Sequence, residues 1–336
     1  MKAALFDKPH SFNVVSKDLR AIGEGEVLVR VEVCGVCGTD IHIVEGTSRS
    51  TPPVVLGHEY TGIVTDVGSG VHGFKQNDRV AIDPNISCGH CYYCRRGDVH
   101  LCSNLRALGV DIDGGMAEYS IVPENQLYHV PVNLSAVAAA FIEPVSCVVH
   151  GIDKAQITPG DTVAIVGAGT IGLLMLQMVK SVGAVRTIVI EPLPRKQLIA
   201  REIGADMAVS PQEALSAVMD STQVGADVVI ECVGKPQTAQ QALTLCRRGG
   251  RVEFFGVCPV GEKIEIEPNE VYFKELTIVG SYVNPNTFSR AIALLSSGVI
   301  RTEKFSVSKF PLNGVREALE SLRQGEVIKN IILPNQ

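Results

Sequence analysis

Two short stretches of the chain contain side chains of the types that bind metal ions. One holds Cys37, and the other holds His58 and Glu59 next to each other. Sulfur, imidazole and carboxylate ligands of this kind hold catalytic zinc, where three protein ligands leave a fourth position for substrate. A zinc ion lowers the pKa of a bound hydroxyl group and polarises a carbonyl group. This ligand set therefore suits the oxidation of an alcohol or the reverse reduction of a ketone.

Such an oxidation releases a proton, and the neighbouring residues include groups that could receive it. Thr39 offers a hydroxyl and His42 an imidazole close to Cys37 in sequence, and both kinds of group can take part in proton transfer. A structural hydroxyl and a surface histidine fit the same residues equally well. A further carboxylate, Glu143, comes directly before Pro144. By residue type it is a fourth metal ligand, a group that orients the other ligands, or a surface charge.

Four further cysteines lie within 15 residues of one another. Four thiolates suit tetrahedral Zn²⁺ and leave no open position for chemistry. We therefore predict a structural zinc in a lobe at residues 83–104, with disulfides or an iron–sulfur cluster as the alternatives. The predicted ligands are Cys88, Cys91, Cys94 and Cys102.

A glycine-rich segment follows an apolar stretch and opens a predicted helix. In it, Gly167 permits a tight turn, Gly169 lets a diphosphate approach the backbone, and Gly172 allows the helix to pack closely on the strand. The helix begins near Thr170 and Ile171, and its N-terminus offers N–H groups and the positive end of the helix dipole to phosphates. This arrangement predicts a dinucleotide site.

The predicted strand after this helix ends at Glu191, 19 residues beyond Gly172. A carboxylate at this place accepts hydrogen bonds from the ribose hydroxyls and repels a 2′-phosphate, which favours NAD over NADP. Arg195 and Lys196 act against this preference, since either side chain could meet a phosphate. We expect NAD as the cofactor, with NADP as the alternative.

The elements that must position these residues follow two patterns. Up to about residue 135, short alternating segments with Gly and Pro turns predict a β-rich, barrel-like domain. From Thr162 onward, strands and helices alternate, which predicts βαβ units and a doubly wound parallel sheet, an α/β fold class. The predicted strands are 163–166, 187–190, 227–231 and 251–255, and the helices 171–182, 194–203 and 237–246. We expect the final strand, at 328–333, to return to the first domain.

Composition limits the remaining possibilities. The 336 residues suit about two domains, and the net charge of −6 argues against general binding to nucleic acid or anionic lipid. An uncharged stretch from Thr162 to Val179 reaches the length of a membrane span, but its glycines favour a strand, a turn and a helix, so no membrane span is expected. No signal peptide is recognised and four of the ten cysteines cluster, which favours a cytoplasmic location.

Taken together, these motifs resemble those of the zinc-dependent medium-chain dehydrogenases. The resemblance is carried by Gly35–Asp40, Gly57–Glu59, Asp113–Tyr119, the four-cysteine lobe and the glycine-rich turn. It implies a GroES-like catalytic domain at residues 1–144, a Rossmann domain at 145–279, and a return to the catalytic domain at 280–336. It further implies an active site in the cleft between the domains, and a homo-oligomer, a dimer or tetramer, formed through the Rossmann sheet edge.

The resemblance also implies roles for the candidate metal ligands. Cys37 and His58 match the catalytic zinc ligands, and Glu59 matches a residue that binds zinc in only some members or states. Asp40 matches the carboxylate that orients the zinc-bound histidine.

Three further residues match positions near the reacting groups. Thr39 matches the hydroxyl that takes the alcohol proton, and His42 lies where alcohol dehydrogenases end their proton relay. The segment Phe141–Ser146 is similar to the polyol (sorbitol-type) branch, in which Glu143 would sit beside the zinc and can replace water. Alcohol dehydrogenases proper have a cysteine ligand at this place, and threonine dehydrogenases have an aspartate.

Two loops resemble those that approach the nicotinamide, and they contain Val233 and Val257. The segment Gly280–Asn284 lacks the arginine expected there in animal sorbitol dehydrogenases. The implied function is oxidation of a secondary alcohol of a polyol or sugar-derived substrate to a ketone, with NAD. The alternatives are an L-threonine, 2,3-butanediol or sugar-acid dehydrogenase and, more remotely, a non-catalytic zinc- and nucleotide-binding regulator.

Overall fold

A computed structural model describes residues 1–325 and 327–336. The chain forms two compact units. Unit 1 contains Met1–Ser146, Asn284–Ser297 and Phe305–Gln336, and unit 2 contains Cys147–Val283 and Gly298–Lys304. The domain limits expected at residues 144 and 279 stay predictions. The units differ from them most at residues 298–304, which belong to unit 2.

The described chain contains strands and helices throughout its length. The strands are β1 (Lys2–Lys8), β2 (Ser11–Ser16), β3 (Glu26–Gly35), β4 (Val54–Val55), β5 (Glu59–Val67), β6 (Arg79–Ile82), β7 (Asn85–Ile86), β8 (Arg106–Ala107), β9 (Tyr119–Pro123), β10 (Leu127–His129), β11 (Thr162–Val166), β12 (Arg186–Ile190), β13 (Met207–Val209), β14 (Ala226–Glu231), β15 (Cys246–Phe254), β16 (Thr277–Gly280), β17 (Val307–Pro311) and β18 (Lys329–Leu333). The helices are α1 (Gly38–Val44), α2 (Tyr92–Arg95), α3 (Ala136–Ala139), α4 (Ile142–Ala155), α5 (Thr170–Ser181), α6 (Pro194–Ile203), α7 (Ala214–Thr222), α8 (Pro236–Leu245), α9 (Pro268–Lys274), α10 (Phe288–Ser296) and α11 (Val315–Gln324).

Unit 1 is organised around a sheet with the strand order β10-β6-β5-β3-β18-β17, in which β9 also pairs with β3. Along β3 every second residue is a buried valine, because successive side chains of a strand point to opposite faces of the sheet. The last strand, β18, pairs antiparallel with β3 and places Ile331 opposite Gly35. The chain therefore returns to the first unit to complete its sheet.

Unit 2 contains a six-stranded sheet with the order β13-β12-β11-β14-β15-β16, and all its neighbouring strands run parallel. The connections change direction between β11 and β14, and doubly wound sheets bind ligands beyond the carboxyl ends of the strands at such a point. Every residue of β11 is buried, which explains its continuous apolar sequence. The predicted α/β fold class, a doubly wound parallel sheet together with a β-rich domain, is confirmed.

The largest differences from the predicted elements occur in unit 2. The strand predicted to begin at residue 251 begins at Cys246. In the pairing of β14 with β15, Ala226 lies opposite Cys246 and Val228 lies opposite Arg251, so the register shifts between these two pairs and the residues between Cys246 and Arg251 join the strand. Helix α7 was not predicted. Its only buried residues are Ala214, Ala217 and Val218, so the sequence has a weak apolar pattern there. The uncharged stretch from Thr162 to Val179 divides into β11 and α5. In the described part of the chain, no helix combines the length and the apolar character needed to cross a membrane.

Glu253, in β15, is a charged residue inside the sheet of unit 2. Its side chain is fully buried, and neither carboxylate oxygen has a hydrogen-bond partner among the described residues. Burial raises the pKa of Glu253 from its ordinary value of 4.5 to about 8, although Lys154 and Arg251 act in the opposite direction. We therefore expect Glu253 to be mostly protonated at neutral pH in the folded chain.

Replacing Glu253 by glutamine is expected to stabilise the protein at high pH only. The unfolded chain loses this proton above pH 4.5, whereas the folded chain keeps it up to about pH 8. The stability contributed by the protonated group is therefore complete below pH 4.5, falls progressively as the pH rises from 4.5, and is fully lost above about pH 8. Glutamine has the same shape and no such proton, so Glu253→Gln should gain roughly 3 kcal/mol at about pH 8 and little at about pH 5.

Urea unfolding at both pH values measures this difference. Glu265→Gln, at an exposed glutamate, is the matched control and should change the free energy of unfolding at neither pH. An equal gain for Glu253→Gln at both pH values would show that the buried carboxyl does not titrate in this range.

Candidate functional site

Two chain segments of unit 1 bring the candidate metal ligands together. Cys37 directly precedes α1, and its backbone N–H donates to Asp40 Oδ2 at 2.9 Å, so that the aspartate caps the first turn of the helix. Gly57 has a φ of 94°, a conformation that favours glycine, and it turns the chain into His58. Glu59 begins β5 and pairs with the last residue of β3.

The ligand atoms of Cys37, His58 and Glu59 all lie within 4.8 Å of one another. Cys37 is half-buried, and His58 and Glu59 are buried. A sulfur, an imidazole nitrogen and a carboxylate oxygen at these separations form the donor set of a zinc site that keeps a position for substrate. The three residues predicted from the two separate motifs are thus placed at one site.

The charges around His58 favour a cation at this place. Burial lowers the pKa of His58, but the negative groups of Cys37 and Asp40 outweigh it and raise the pKa well above its ordinary value. Asp40 Oδ1 lies 3.6 Å from His58 Nδ1, and neither atom has a hydrogen-bond partner among the described residues. Asp40 is therefore close enough to orient the imidazole once the site closes around a metal. The three donor atoms are of the types that bind zinc, and the negative charge around them favours a cation.

Thr39 and His42 have different surroundings. Thr39 Oγ1 lies 3.6 Å from Cys37 Sγ, which places its hydroxyl at the metal ligands. His42 Nδ1 lies 3.2 Å from Thr47 Oγ1, and the Thr47 hydroxyl also donates to the carbonyl of His42. The contact with Thr47 was not predicted, because the sequence showed no pattern that paired the two residues. The proton-transfer roles of Thr39 and His42 stay predictions.

Glu143 lies in the first turn of α4 and is 8% exposed. Within the described residues, the cluster of ligand atoms defined by the 4.8 Å separation contains Cys37, His58 and Glu59 and leaves Glu143 out. The carboxylate of Glu143 nevertheless acts electrostatically on Lys329, which also contacts Glu59. Glu143 therefore lies in the neighbourhood of the site, and its role as a zinc ligand stays a prediction.

Lys329, the first residue of β18, is a buried member of the site that sequence reasoning missed. It is 2% exposed, and its Nζ donates to Glu59 Oε2. Burial lowers the pKa of Lys329, but the charges of Glu59, Cys37 and Glu143 outweigh it and raise the pKa above its ordinary value. The two partners are 270 residues apart. The only signal in the sequence is a lysine at the start of an apolar strand.

The four predicted structural ligands also come together. The sulfur atoms of Cys88, Cys91, Cys94 and Cys102 lie within 4.8 Å of one another. Cys91 Sγ and Cys94 Sγ are 3.5 Å apart, well beyond the length of a disulfide bond. Backbone N–H groups of Cys94 and Ser103 lower the pKa of Cys91 to about 5, and the N–H of Asn104 donates to Cys102 Sγ at 3.3 Å. The donors at Cys91 thus stabilise its thiolate, the form in which cysteine binds zinc.

In unit 2, the three glycines of the glycine-rich turn have the geometry that a dinucleotide site requires. Gly167 has a φ of 102°, so the first glycine makes the tight turn after β11. A Cβ on Gly172 would collide with the carbonyl oxygen of Gly167, so the third glycine permits close packing. Apart from Gly169 and its two neighbours along the chain, the described residues have no atom within 4 Å of the place a Cβ on Gly169 would occupy. The helix that begins at Thr170 and continues with Ile171 thus presents an open N-terminus.

Glu191 follows β12 and lies against the glycine-rich turn. Its Oε2 accepts a hydrogen bond from the Ala168 N–H at 2.9 Å, and its Oε1 accepts one from the Leu193 N–H at 3.0 Å. The side chain is buried, whereas Arg195 in the first turn of α6 is exposed. The sequence predicted the acid at this place. The sequence did not predict that Glu191 also stabilises the glycine-rich turn, through the hydrogen bond from the Ala168 N–H.

The two predicted nicotinamide loops lie at the carboxyl ends of β14 and β15. Val233 packs against the glycine-rich turn, since a Cβ on Gly167 would lie 2.8 Å from Val233 Cγ2. A Cβ on Gly234 would lie 2.5 Å from the carbonyl oxygen of Val257, so the two loops are in contact. The buried carboxylate of Glu231 accepts hydrogen bonds from the N–H groups of Val233 and Gly234. Glu231 is therefore a further residue that shapes this loop.

Two family models match long segments of the chain. Residues 23–132 match the model of the alcohol dehydrogenase GroES-like domain, and residues 170–297 match the model of the zinc-binding dehydrogenases. The chain is similar to D-arabinitol dehydrogenase 1 of Uromyces fabae, with 33% identity over 100% of this chain and 97% of that protein. It is 35% identical to the sorbitol dehydrogenase of Halalkalibacterium halodurans over 96% of both chains. It is also 35% identical to the L-threonine 3-dehydrogenase of Pyrococcus horikoshii, over 99% of this chain and 98% of that protein.

Solved structures extend this similarity to the fold. A protein of Sinorhizobium meliloti 1021, described as a zinc-binding dehydrogenase and bound to NADP, has a TM-score of 0.95 and 40% identity over 99% of both chains. The alcohol dehydrogenase RspB of Escherichia coli CFT073, in complex with NADH, has a TM-score of 0.92 and 32% identity over 99% of both chains. The predicted combination of a GroES-like domain and a Rossmann domain is thereby confirmed.

Proposed function

The chain belongs to the zinc-dependent medium-chain dehydrogenases, and on this premise we propose that it oxidises a secondary alcohol of a polyol or sugar-derived substrate to a ketone, with transfer of a hydride to NAD. The main support for this proposal is the arrangement of the candidate ligand atoms and the Thr39 hydroxyl in unit 1. The ligand atoms of Cys37, His58 and Glu59 lie within 4.8 Å of one another, with the Thr39 hydroxyl 3.6 Å from Cys37 Sγ. A metal site and a proton acceptor thus occur together.

When bound, zinc supplies a Lewis acid that lowers the pKa of the substrate hydroxyl, and NAD supplies the hydride acceptor. Cys37, His58 and Glu59 would hold the metal, and Asp40 would orient the imidazole of His58. The Thr39 hydroxyl would accept the proton of the substrate hydroxyl as it releases its own proton, and His42 would take up the released proton and pass it to solvent. Glu143, whose carboxylate acts on Lys329 beside Glu59, would be the fourth ligand of this metal.

In unit 2, the residues around the glycine-rich turn bind the dinucleotide. The backbone of Gly167 and Gly169 leaves room for the diphosphate, and the N–H groups at the start of α5 donate to it. Val233 and Val257, which are 41% and 75% exposed, cover the nicotinamide. Thr170 and Ile171 belong to the helix terminus that faces the phosphates.

The substrate class rests on two supports. The segment around Glu143 is of the polyol type, and two of the similar proteins are named as D-arabinitol and sorbitol dehydrogenases. L-Threonine is the second candidate, because an L-threonine 3-dehydrogenase is equally similar. The missing arginine at Gly280–Asn284 indicates that the substrate hydroxyls are recognised differently from those of the animal enzymes.

A steady-state screen with and without a zinc chelator tests the proposal. The panel contains polyols of both configurations at C2, L-threonine, 2,3-butanediol and sugar acids, and the appearance of reduced cofactor is followed by absorbance. We expect chelator-sensitive turnover with at least one polyol. Preferred turnover of L-threonine, the diol or a sugar acid would replace the substrate class. Nucleotide binding without turnover of any compound would favour a regulator.

The NAD preference is tested at Glu191. Glu191→Gln removes the negative charge but keeps an acceptor oxygen for the turn, so we expect the ratio of kcat/KM for NAD to that for NADP to fall about tenfold. Arg195→Ala is the matched variant and should raise the same ratio if its guanidinium meets a 2′-phosphate. An unchanged ratio in Glu191→Gln would show that the carboxylate does not face the ribose. The measurement matters because one similar protein was solved with NADP and another with NADH.

We further propose that the protein is a homo-oligomer formed through β16, the edge strand of the six-stranded sheet. The neighbouring helix α9 exposes Tyr272 and Phe273 at 76% and 66%, and exposed aromatic side chains of this kind are enriched in protein interfaces. Light scattering measures the mass, and a monomer at micromolar concentration would refute the assembly. The cytoplasmic location favoured by the cysteine usage stays a prediction.

A further inference from the structure

Glu231, at the carboxyl end of β14, is a buried acidic residue that has no part in the proposed metal site or diphosphate site. It is 1% exposed. Its Oε1 accepts hydrogen bonds from the N–H groups of Val233 at 2.7 Å and Gly234 at 3.0 Å, and its Oε2 accepts one from Gly234 at 3.1 Å. Both donors lie in the first predicted nicotinamide loop, residues 232–234. Carboxylate oxygens make stronger hydrogen bonds than neutral acceptors, so the side chain of Glu231 fixes this loop.

The same residue also contacts the second predicted nicotinamide loop, residues 255–257. The backbone carbonyl oxygen of Glu231 accepts hydrogen bonds from the N–H groups of Phe255 at 3.0 Å and Gly256 at 2.8 Å. A Cβ on Gly256 would lie 2.7 Å from Glu231 Oε2 and would collide with the backbone nitrogen of Gly234. The two loops lie this close together because Gly256 has no side chain, and Glu231 is hydrogen-bonded to both of them.

Packing on the side of α8 gives the two loops little other support. Glu231 and Gly256 line a cavity of about 230 Å³ together with Pro236 and Ala239 of α8. The atoms that line a cavity lack van der Waals partners on that side, so they are held less firmly than atoms of a packed core. The hydrogen bonds of Glu231 are therefore a main restraint on the two loops at this point.

We propose that Glu231 is a positioning residue that keeps the two loops together and thereby slows the release of the nicotinamide end of the cofactor. This inference rests on the proposed function, in which Val233 and Val257 cover the nicotinamide. Glu231 acts through the backbone of the loops and does not touch the reacting atoms. Within the described chain its hydrogen bonds go to the two loops and not to the N–H groups at the start of α5. Binding of the diphosphate should therefore not depend on it.

The test measures the rate of NADH dissociation by stopped-flow fluorescence and the dissociation constant of ADP, which has the diphosphate but no nicotinamide. Glu231→Ala removes the side-chain acceptors, so NADH should dissociate about tenfold faster, while the dissociation constant of ADP should change by less than about twofold. Glu231→Gln keeps the Oε1 acceptor, which serves both Val233 and Gly234. Its rate of NADH dissociation should therefore stay within about threefold of the wild-type rate.

Glu262→Ala is the matched control, because Glu262 is an exposed glutamate that lines the same cavity. It should change neither the rate of NADH dissociation nor the binding of ADP. A residue that only supports the fold of unit 2 would, when replaced, weaken the binding of ADP and of NADH equally, and that result would overturn the proposal. Unchanged NADH dissociation in Glu231→Ala would also overturn it, as would equally fast dissociation in Glu231→Gln and Glu231→Ala.

Gly256→Ala tests the same role if Glu231→Ala does not fold. The added Cβ would push the two loops apart while the carboxylate of Glu231 stays in the protein. NADH should then dissociate about tenfold faster, with the dissociation constant of ADP again within about twofold of the wild-type value. A wild-type rate of NADH dissociation in Gly256→Ala would contradict the proposal.

These measurements need no alcohol, so the proposed function and the role of Glu231 can fail separately. A protein that binds NADH but oxidises no compound of the substrate panel would refute the proposed function, and the dissociation rates would still decide the role of Glu231. A protein that oxidises a polyol, but in which neither variant speeds NADH release, would refute only the role of Glu231. A wild-type protein that binds no NADH would refute both.

Discussion

Replacing Cys37 by serine is expected to lower kcat by about 1,000-fold or more while the dissociation constant of NADH changes by less than about twofold. The thiolate is the one sulfur among the three clustered ligand atoms. A serine hydroxyl binds zinc far more weakly, so the Lewis acid is lost from the site. That acid is worth several kcal/mol of transition-state stabilisation, and each 1.4 kcal/mol corresponds to about tenfold in rate.

The expected retention of NADH binding follows from where the two sets of residues lie. Cys37 belongs to unit 1, whereas the glycine-rich turn, Glu191 and Val233 belong to unit 2. Turnover is measured under steady-state conditions and NADH binding by its fluorescence. Cys34→Ala is the matched control, because Cys34 is a buried thiol three residues away that lies outside both cysteine-containing clusters. Full activity of Cys37→Ser would show that the ligand assignment is wrong.

Cys91→Ser is expected to lower the Tm by about 10 °C and to remove one zinc ion per chain, while activity per folded molecule is largely kept. The lobe has little else to hold it together. Its helix α2 and the single-turn helix Val99–Leu101 contain no buried residue, and Tyr92 is 67% exposed. A structural zinc replaces a hydrophobic core in such a segment. The loss of several kcal/mol in a chain of this size shifts the Tm by roughly the stated amount.

Calorimetry and elemental analysis measure the two effects. Ser103→Ala is the matched control, because it leaves intact the backbone N–H that lowers the pKa of Cys91, and it should keep both zinc ions and the wild-type Tm. A Cys91→Ser variant with an unchanged Tm would argue against a structural metal. A variant that loses activity in proportion to the lost zinc would instead link the lobe directly to catalysis.

Those parts of the protein whose chemistry depends on neighbours along the chain could be predicted from the amino-acid order alone. The glycine-rich turn needs three glycines at set distances after a strand, and the structure shows a positive φ at Gly167, open space at Gly169 and close packing at Gly172. The four clustered cysteines and the pair His58 and Glu59 are local in the same way. Residues a few positions apart along a turn or a short loop lie near one another, so their spacing was enough to predict that these groups come together.

The folded chain was needed to find which side chains from distant strands share a site and which charges are buried. The pairing of Lys329 with Glu59 depends on β18 lying beside β3 and on the missing side chain at Gly35. The burial of Glu253 depends on the helices and strands packed around β15. No spacing rule contains such contacts, because the register between strands far apart in sequence is set by the packing of the whole sheet, and the side chain that each strand presents follows from that register.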